Sequence, residues 1–456
     1  MNSIKTVRQA SREVPVACKS DVVVVGGGSA GVTAAVSAAR NGASVTLLER
    51  YHHLGGMASG GMVLVLDDMV NGKEITVSGI VDEFVQRMAK TGDAVFPPPE
   101  DRNGELANRR KWSRWGAYDF HQPKKPFPIL YAVAFDPDAW KRTSLDLIQE
   151  NNINLRLHSW FSEAIVEDNQ VKGVICQNNS GRHAVLGDII IDATGDLNVA
   201  TSAGAPFIDG KFIVTTVFRL MNVDTDEAER FEFDNPEEYY KVDREIRRLI
   251  GGCWDHWWLK TPLPGVVWCN CPHMPGYDGI SSEDLTAAEY EGRGRMMRAF
   301  QFAKENLPGF QNSKILGAAE QVGVRQTRLL QGEYVVTKED VAERRYFDDT
   351  VCRGRDYYTP YRALLPKKLN QLIVAGRHYS AEPEAQRSSR EIPPCMAQGE
   401  AAGIAAALAL NGNCSLKEVS AKAIQKQMRA QGADPGDVPS ANALIEHQSE
   451  EEMVYG

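Results

Sequence analysis

The sequence predicts an α/β fold with a Rossmann-like parallel sheet, a β-meander and an inserted α+β domain. Short runs of β-branched residues without polar alternation, such as DVVVV at 21–25, fit parallel strands buried on both faces. Glycine-rich turns follow several of these runs. Two long stretches, 62–135 and 207–320, leave this pattern, and the chain returns to it after each. These observations predict one sheet-centred domain interrupted by insertions.

The first unit of the pattern spans residues 21–49. The strand DVVVV runs into Gly26-Gly27-Gly28-Ser29-Ala30-Gly31, and an alanine-rich helix follows. The helix ends at Asn41-Gly42, which is a C-terminal cap signal. A second buried strand at 43–48 is closed by Glu49. The order is therefore strand, glycine turn, helix, strand and acid.

Each residue type in this unit has a physical task in dinucleotide binding. Gly26 permits the tight turn, Gly28 lets the backbone approach a pyrophosphate, and Gly31 lets the helix pack closely on the strand. The helix N-terminus offers N–H groups and a partial positive charge to phosphate oxygens. Glu49 can accept hydrogen bonds from both ribose hydroxyls, which favours FAD or NAD over NADP.

Two later segments and a meander complete the pattern. Strands at 164–167, 171–176 and 184–186 form the expected meander, after a helix from Asp136 to Glu150. A further helix is predicted to begin at Ser281–Glu283 and to run to about Glu305. A buried strand then ends in Ala193-Thr194-Gly195-Asp196. The last buried strand, 371–375, ends at Gly376, and Pro393-Pro394 opens a helix of small residues from Cys395 to Leu410.

Together with the glycine doublets of LGGMASGG at 54–61, these motifs resemble the FAD-dependent oxidoreductase family. That family belongs to the glutathione-reductase-type two-dinucleotide-binding-domain flavoproteins and is distantly related to fumarate reductase and succinate dehydrogenase flavoproteins. The resemblance covers nearly the whole chain and includes GVRQTRLLQGEY at 323–334 and PYRALLP at 360–366. It implies an FAD-binding domain made of residues 1–61, 136–206 and 321–456, with a substrate (cap) domain made of 62–135 and 207–320.

The resemblance also implies the residues that bind FAD. Relatives with covalent flavin attach it to a histidine of the glycine-rich segment, but His52 and His53 precede the first doublet, so we expect non-covalent FAD. Many relatives carry an acid after the last strand, where this chain has Arg377. The expected cofactor-binding residues are Gly26, Gly28, Ser29, Ala30, Gly31, Glu49, Arg50, Gly56, Met57, Ser59, Gly60, Phe161, Ala193, Gly195, Gly376, Arg377, Pro394, Gly399, Ala401 and Ala402.

The second insertion concentrates aromatic and basic residues with two possible roles. Four of the eight tryptophans lie between 254 and 268, where they form an aromatic substrate pocket or pack a small domain or a dimer contact. Downstream, Arg325 and Arg328 either hold a substrate carboxylate or form ion pairs with acids such as Glu320 or Glu333.

Hydride transfer at a flavin requires a side chain that moves a proton. In the superfamily, the turn after the last FAD strand passes the flavin, and here it carries Arg377-His378-Tyr379. Because histidine titrates near neutral pH, we expect His378 to be this acid–base. The alternative is that His378 only bonds backbone or FAD. Further candidates are Tyr358 or Tyr361 for a hydroxyl, Arg390 for an anion, and His256 and His273 as rival acid–bases in the inserted domain.

Composition excludes several classes of function. The 456 residues carry a net charge of −9, with a pI of about 5.6, which implies no basic surface for nucleic acid. No apolar run approaches the roughly 18 residues of a membrane helix. The eight cysteines form no CxxC pair, so we expect reduced thiols and a cytoplasmic location. We expect no metal site. A homo-oligomer is possible.

The first functional hypothesis is an FAD-dependent dehydrogenase, oxidase or reductase of a small, ring-containing organic substrate. The alternatives are a flavoprotein monooxygenase and a flavin-binding subunit of a larger redox complex. No second nucleotide motif for NAD(P)H is evident, and no cysteine pair supports disulfide reductase chemistry. The substrate, the direction of reaction and the electron acceptor stay open at this point.

Overall fold

A seven-stranded mixed sheet forms the centre of the computed structural model, which describes residues 11–72, 74–119, 127–253, 256–355 and 357–439. Its strands pair in parallel at one side and form an antiparallel meander at the other. The order is Asn154–Arg156, Val45–Leu48, Val16–Val25, Gly181–Asp192, Gln170–Asn178 and Trp160–Glu167, and Leu372–Val374 also pairs with Gly181–Asp192.

One strand serves both parts of the sheet. The meander strand at 184–186 and the strand leading to Ala193 were expected as separate elements, but the structure has the single strand Gly181–Asp192. Its first half pairs antiparallel with Gln170–Asn178, and its second half pairs parallel with Leu372–Val374. The second half is buried on both faces, as its run of isoleucines predicts.

Two helices pack against each other at very close range beside the sheet. They are Ser29–Arg40 and Ile392–Gly412, and the second is buried along most of its length. A Cβ on Gly399 would lie 2.1 Å from the Ala30 carbonyl oxygen, so only glycine allows this approach. The Thr33 hydroxyl donates to the Met396 carbonyl at 2.9 Å. The contact fixes the N-termini of both helices relative to the sheet.

The predicted helix starts are confirmed by their caps. Asp136 caps Pro137–Glu150 by accepting from the N–H groups of Asp138 and Ala139, and Ser281 caps Ser282–Asn306. The other helices are Ile80–Lys90, Leu106–Trp112, Asn198–Ser202, Thr225–Asp234, Pro236–Ile250, Lys338–Ala342, Pro383–Arg387 and Ala421–Ala430.

Short strands make up the rest of the regular structure. Residues 62–135 contain Val65–Leu66, Val70–Asn71, Glu74–Ile75, Ala94–Val95, Tyr118–Asp119, Phe127–Pro128 and Val133–Phe135. Residues 207–320 contain Phe207–Asp209, Val214–Thr215, Phe218–Met221, Leu259–Lys260, Val267–Cys269, His273–Met274 and Lys314–Ala318. Gly323–Val324, Arg328–Leu330, Thr350–Arg353 and Tyr358–Pro360 follow.

The two insertions differ in how they are packed. Phe84 and Phe135 of the first insertion lie in the same hydrophobic cluster as Val22 of the sheet. Phe218 and Phe310 of the second insertion belong to a separate cluster. The first insertion therefore shares the core of the sheet, whereas most of the second packs in a core of its own and adds only a few residues, such as Leu259 and Trp268, to the sheet's cluster. No helix among the described residues is both long enough and apolar enough to cross a membrane.

Candidate functional site

The larger of two adjoining cavities has a volume of about 800 Å³ and lies at the carboxyl ends of the parallel strands. Val25 and Leu48, the last residues of two of these strands, line it. Ala193 and Ala375, which directly follow two others, line it as well. Ligands of open α/β sheets bind at this edge. The volume is within the range of ligand pockets, roughly 300–1,000 Å³.

The first glycine turn presents backbone to this cavity. Gly26 has a φ of 106°, and a Cβ on Gly31 would lie 1.8 Å from the Gly26 carbonyl oxygen, so both positions require glycine. Gly28 caps the helix Ser29–Arg40, and within the described residues no side chain caps its first turn. Ser29 and Ala30 line the cavity. The exposed N–H groups and the helix dipole suit a phosphate.

The two glycine-rich segments, 26–31 and 54–61, contact each other in the wall of the cavity. Gly28 forms a bridge with Gly55, and a Cβ on Gly56 would lie 2.9 Å from the Gly28 Cα atom. Gly56 and Met57 line the cavity, whereas Ser59 donates to the Leu54 carbonyl behind it at 2.6 Å. The second glycine-rich segment therefore forms a wall of the same cavity through its first doublet.

Glu49 lies in the cavity wall with its carboxylate tied to the backbone. Its Oε2 accepts from the Gly27 N–H at 2.6 Å, and its Oε1 accepts from the Tyr51 N–H at 2.8 Å. Burial raises the pKa of Glu49 against the opposing effect of these hydrogen bonds. Each oxygen keeps a second lone pair for a ribose hydroxyl.

Aromatic side chains beside Glu49 form a part of the site that the sequence did not indicate. The Arg50 guanidinium lies over the Tyr51 ring at 4.9 Å and over the Trp160 ring at 5.5 Å. Tyr51, Trp160 and Phe161 all line the cavity. Of these, only Phe161 was expected, because the other two belong to no recognisable motif. Planar aromatic faces at this end suit an adenine ring.

Arg377, which follows the last strand where many relatives carry an acid, forms an ion pair. Arg377 Nη2 lies 2.6 Å from Asp196 Oδ1, and a Cβ on Gly195 would lie 2.3 Å from Arg377 Nη1. The Thr327 hydroxyl also donates to Asp196 at 3.0 Å. Arg377 thus pairs with the acid of the ATGD turn and packs directly over the glycine of that turn.

Most of the expected cofactor-binding residues line the larger cavity. Seven do not line it and instead support its walls through packing. The lining residues are Gly26, Gly28, Ser29, Ala30, Glu49, Arg50, Gly56, Met57, Phe161, Ala193, Gly195, Gly376 and Arg377. The supporting residues are Gly31, Ser59, Gly60, Pro394, Gly399, Ala401 and Ala402.

A smaller cavity of about 260 Å³ adjoins the larger one. The two cavities share five lining residues, which are Met57, Val324, Arg377, Arg390 and Ile392. Both insertions contribute walls that belong to the smaller cavity alone. The first contributes Val63, Val65, Asp67, Asp68, Gly116, Tyr118 and Ile129, and the second Phe212, Thr215, Cys253, His256, Leu259, Trp268, Asn270 and His273.

The tryptophans divide between the wall of this cavity and the core. Trp268 lines the smaller cavity, whereas Trp257 and Trp258 are fully buried against Phe310, with ring centroids 5.3 and 5.6 Å away. The hypothesis of an aromatic pocket does not hold for these two, because their rings fill the separate core of the second insertion. Trp254 lies outside the described residues.

Arg325 and Arg328 do not form the ion pairs considered from the sequence. Arg325 Nη2 donates to His273 Nε2 at 3.0 Å, and Arg328 donates to Asn198 and to the Asp196 carbonyl. Glu320 instead pairs with Lys141 and His53, and Glu333 pairs with Lys417. Arg325 lines the smaller cavity and Arg328 the larger one.

The three candidate histidines occupy different places. His378 lines the larger cavity, and its Nε2 faces Asp192 at 3.3 Å. His256 and His273 line the smaller cavity. Burial lowers the pKa of His256 well below its usual range, and Arg114 and Arg247 lower it further. Tyr358 lines neither cavity and contacts the Tyr346 ring at 5.8 Å.

His52, His53 and Glu320 place their ligand atoms within 4.8 Å of one another, a spacing that suits a metal ion. His53 Nε2 lies 2.7 Å from Glu320, but Lys141 lies 2.9 Å from the same carboxylate. The ammonium group already compensates the acid and would repel a cation. We therefore interpret this group as an ion-pair network.

The fold and the larger cavity define a dinucleotide-binding α/β protein. The family model "FAD dependent oxidoreductase" matches residues 21–356 and 354–428, so the chain belongs to the FAD-dependent oxidoreductase family. It is an enzyme family, and FAD is the cofactor. The glycine cradle, the uncapped helix and Glu49 fit the diphosphate and ribose of that cofactor.

Solved structures with a similar fold differ in their reactions. One is a geranylgeranyl bacteriochlorophyll reductase-like protein from Thermoplasma acidophilum, with 16% identity, a TM-score of 0.49, and coverage of 90% of this chain and 83% of that chain. A p-nitrophenol 4-monooxygenase from Pseudomonas putida DLL-E4 has 15% identity, a TM-score of 0.46 and coverage of 90% and 83%. An L-proline dehydrogenase from P. horikoshii has 14% identity and a TM-score of 0.43, with coverage of 91% of this chain and 99% of that chain. Among curated proteins, none matches the chain significantly.

Proposed function

We propose that this enzyme exchanges a hydride between FAD, held non-covalently in the larger cavity, and a small organic substrate in the smaller one. The observation that carries the proposal is the wall shared by the two cavities, which includes Met57, Arg377 and Arg390. A substrate in the smaller cavity would therefore adjoin the cofactor. When bound, FAD supplies a ring that accepts or donates a hydride.

The chain would hold FAD by contacts that need no covalent bond. The N-terminus of helix Ser29–Arg40 would bind the diphosphate, and Glu49 the ribose. Neither His52 nor His53 lines the larger cavity, and His53 is engaged with Glu320 at 2.7 Å. These placements support a dissociable cofactor.

The two insertions would together form the substrate cap. Val63, Val65 and Ile129 give the smaller cavity an apolar wall, and Trp268 and Asn270 add polar atoms from the opposite insertion. Within the described residues, Trp268 Nε1 and Asn270 Oδ1 are buried without a hydrogen-bond partner. Buried polar atoms of this kind favour a ligand that satisfies them. The volume of about 260 Å³ suits a small molecule.

We assign the proton transfer to His256 rather than to His378. His378 Nε2 is turned to the Asp192 carboxylate and carbonyl, at 3.3 and 3.0 Å, which supports the interpretation that it bonds the protein. His256 lies in the wall of the smaller cavity, and its lowered pKa keeps it neutral near pH 7. A neutral imidazole can accept a proton from the substrate as hydride leaves.

An anaerobic screen of small molecules against the purified holoprotein tests this proposal. We expect at least one compound to bleach the visible flavin absorbance without another protein present, or to restore the colour of the chemically reduced protein. Reduction only by a nicotinamide cofactor, followed by incorporation of an oxygen atom into an aromatic product once O₂ is readmitted, would favour a monooxygenase instead. Reactivity only after addition of a second subunit would favour a flavin-binding subunit.

A further inference from the structure

One short strand of the second insertion has a core face and a cavity face. Along the strand Val267–Cys269, successive side chains point to opposite sides. The first and last residues of this strand, and Cys271 just beyond it, belong to the separate hydrophobic cluster of the insertion. The alternate residues, Trp268 and Asn270, line the smaller cavity. These two side chains therefore share the face of the segment that is turned to the cavity.

Neighbouring strands hold the segment from both sides. Trp268 pairs in register with Arg219 on one side and with Leu259 on the other. The strand Val267–Cys269 is thus an inner strand of a four-stranded sheet. Leu259 lines the smaller cavity as well. A strand in the interior of a sheet positions a binding group more precisely than a loop does.

Trp268 and Asn270 carry polar atoms that the protein itself does not use. Trp268 is 3% exposed, and within the described residues its Nε1 and the Asn270 Oδ1 are buried without a hydrogen-bond partner. By contrast, the hydroxyls of Tyr118 and Thr215 in the same wall donate to backbone carbonyls at 3.3 and 3.4 Å. Buried polar atoms are rarely left without a partner, so this pair indicates a ligand.

The two atoms make opposite demands on that ligand. The indole N–H of Trp268 only donates a hydrogen bond, and the amide oxygen of Asn270 only accepts one. A carboxylate offers acceptors alone and would place them against the Asn270 oxygen. An ammonium group offers donors alone and leaves the indole without a partner. A neutral group that both accepts and donates satisfies the two atoms together.

We propose that the smaller cavity selects its substrate by a neutral group that accepts a hydrogen bond from Trp268 Nε1 and donates one to Asn270 Oδ1. Both a hydroxyl and a carboxamide have this chemistry. The proposal deepens the proposed function and rests on it, because it names the substrate class of that same cavity. The apolar side chains of Val63, Val65 and Ile129 would contact the rest of the molecule.

Ligand-observed NMR titration of the FAD-loaded protein tests the proposal without requiring turnover. The probes are three rings of similar size: 2-piperidinone with a carbonyl and an N–H, cyclohexanol with a hydroxyl, and cyclohexanone with an acceptor alone. Trp268→Phe removes the indole N–H and should weaken the binding of all three by about 3–10-fold. Asn270→Leu removes the acceptor, so it should weaken 2-piperidinone and cyclohexanol by about the same factor and leave cyclohexanone unchanged.

A matched variant separates recognition from a general effect of removing an indole. Trp257 Nε1 also lacks a partner among the described residues, but Trp257 lines neither cavity. Trp257→Phe should therefore leave all three affinities unchanged. Each probe is compared with itself in the wild type and in a variant, so differences in hydration between the probes cancel. The visible absorbance of each variant verifies that it holds as much FAD as the wild type.

Equal weakening of all three probes by Asn270→Leu would indicate a packing role for Asn270 and overturn the proposal. Unchanged affinities in Trp268→Phe and Asn270→Leu, or no binding of any probe to the wild type, would overturn it as well. If Asn270→Leu weakens only the lactam, the recognised group is a carboxamide. If it weakens only the alcohol, the group is a hydroxyl. Both of these results support the proposal.

The same proteins distinguish a failure of this proposal from a failure of the proposed function. If the probe-specific losses occur and no compound exchanges electrons with the flavin, the hydride-transfer function fails and the recognition by Trp268 and Asn270 stands. If a compound without a hydrogen-bond donor reduces the flavin at a rate that both variants leave unchanged, the proposed function stands and the substrate class is wrong.

Discussion

His378 Nε2 lies 3.3 Å from Asp192 Oδ1, and both side chains are almost completely buried. Asp192 also accepts from the Thr194 hydroxyl at 2.7 Å and the Ala200 N–H at 2.9 Å. Burial would raise the pKa of Asp192, but the hydrogen bonds and the charge of His378 hold it below its usual value. The pair ties the ATGD turn to the turn after the last strand, which gives His378 a structural task at the cofactor cavity.

Glu49→Ala should weaken FAD binding by roughly 10–100-fold, the range for a lost charge-assisted hydrogen bond. The variant also frees the N–H groups of Gly27 and Tyr51, which now bind the carboxylate. Fluorescence titration of the apoprotein with FAD measures the effect. Glu163→Ala, which removes an exposed acid of the meander, is the control and should bind FAD normally. Equal affinity of Glu49→Ala and the wild type would refute the ribose assignment.

Trp257→Ala should lower the free energy of unfolding by about 3–5 kcal/mol, as expected for a large aromatic residue removed from a core. The ring is fully buried and packs on Phe310. Trp268→Phe should instead change ligand affinity with a smaller loss of stability, since Trp268 lines the smaller cavity. Denaturant unfolding and ligand titration of both variants check the contrast. The opposite pattern would place Trp257 at the substrate.

Glu400→Gln should remove a pH dependence of stability between about pH 4.5 and 7. Burial raises the pKa of Glu400 to about 7, although its Oε2 accepts from the Ile80 N–H at 3.1 Å. The folded protein thus binds the proton more tightly than the unfolded chain, and the wild type loses stability as pH rises through this window. At pH 8 the loss should be on the order of 3 kcal/mol, at about 1.4 kcal/mol per pKa unit.

The glutamine of this variant can still accept from Ile80, so the helix Ile80–Lys90 keeps its contact. Urea unfolding at a series of pH values measures the difference between the two proteins. A wild-type stability that is constant from pH 5 to 8, or that changes equally in Glu400→Gln, would contradict the assignment.

The rate of flavin reduction by substrate should vary little between pH 7 and 8. The acid–base assigned here, His256, has a pKa lowered first by burial and then by nearby arginines, so it is already neutral in this range. The rate should fall only at pH values well below the usual histidine pKa of about 6.5, where protonation begins to remove the base. Stopped-flow absorbance across pH 5.5–8.5 measures it. A tenfold rise per pH unit between 7 and 8 would identify a different group.

Local sequence signals predicted the cofactor half of the molecule well. The strand at 21–25, the glycine turn and the capped helices at 136–150 and 281–305 were predicted because residues close together in the sequence determine their conformation. The turns at Gly26 and Gly376 follow from buried strands that end in glycine. These features depend on neighbours a few residues away along the chain.

The features that the sequence did not reveal depend on distant contacts. Trp160 and Tyr51 meet at the end of the cavity because strand order brings them together. The Arg377–Asp196 pair joins residues from two separate strand ends. The first insertion looks irregular in sequence, yet Phe84 and Phe135 pack with the sheet. Hydrophobic periodicity gives no information about which core a short segment joins.

Rapid anaerobic mixing of FAD-loaded His256→Ala and His378→Ala with a reducing substrate decides which histidine transfers the proton. We predict that His256→Ala retains FAD and slows flavin reduction by about 10²–10⁴-fold, the usual range for a lost general acid–base. His378→Ala should reduce at a rate close to that of the wild type once loaded with FAD. Normal reduction in His256→Ala, together with a loss of that size in FAD-loaded His378→Ala, would contradict the account and return the proton transfer to the cofactor cavity.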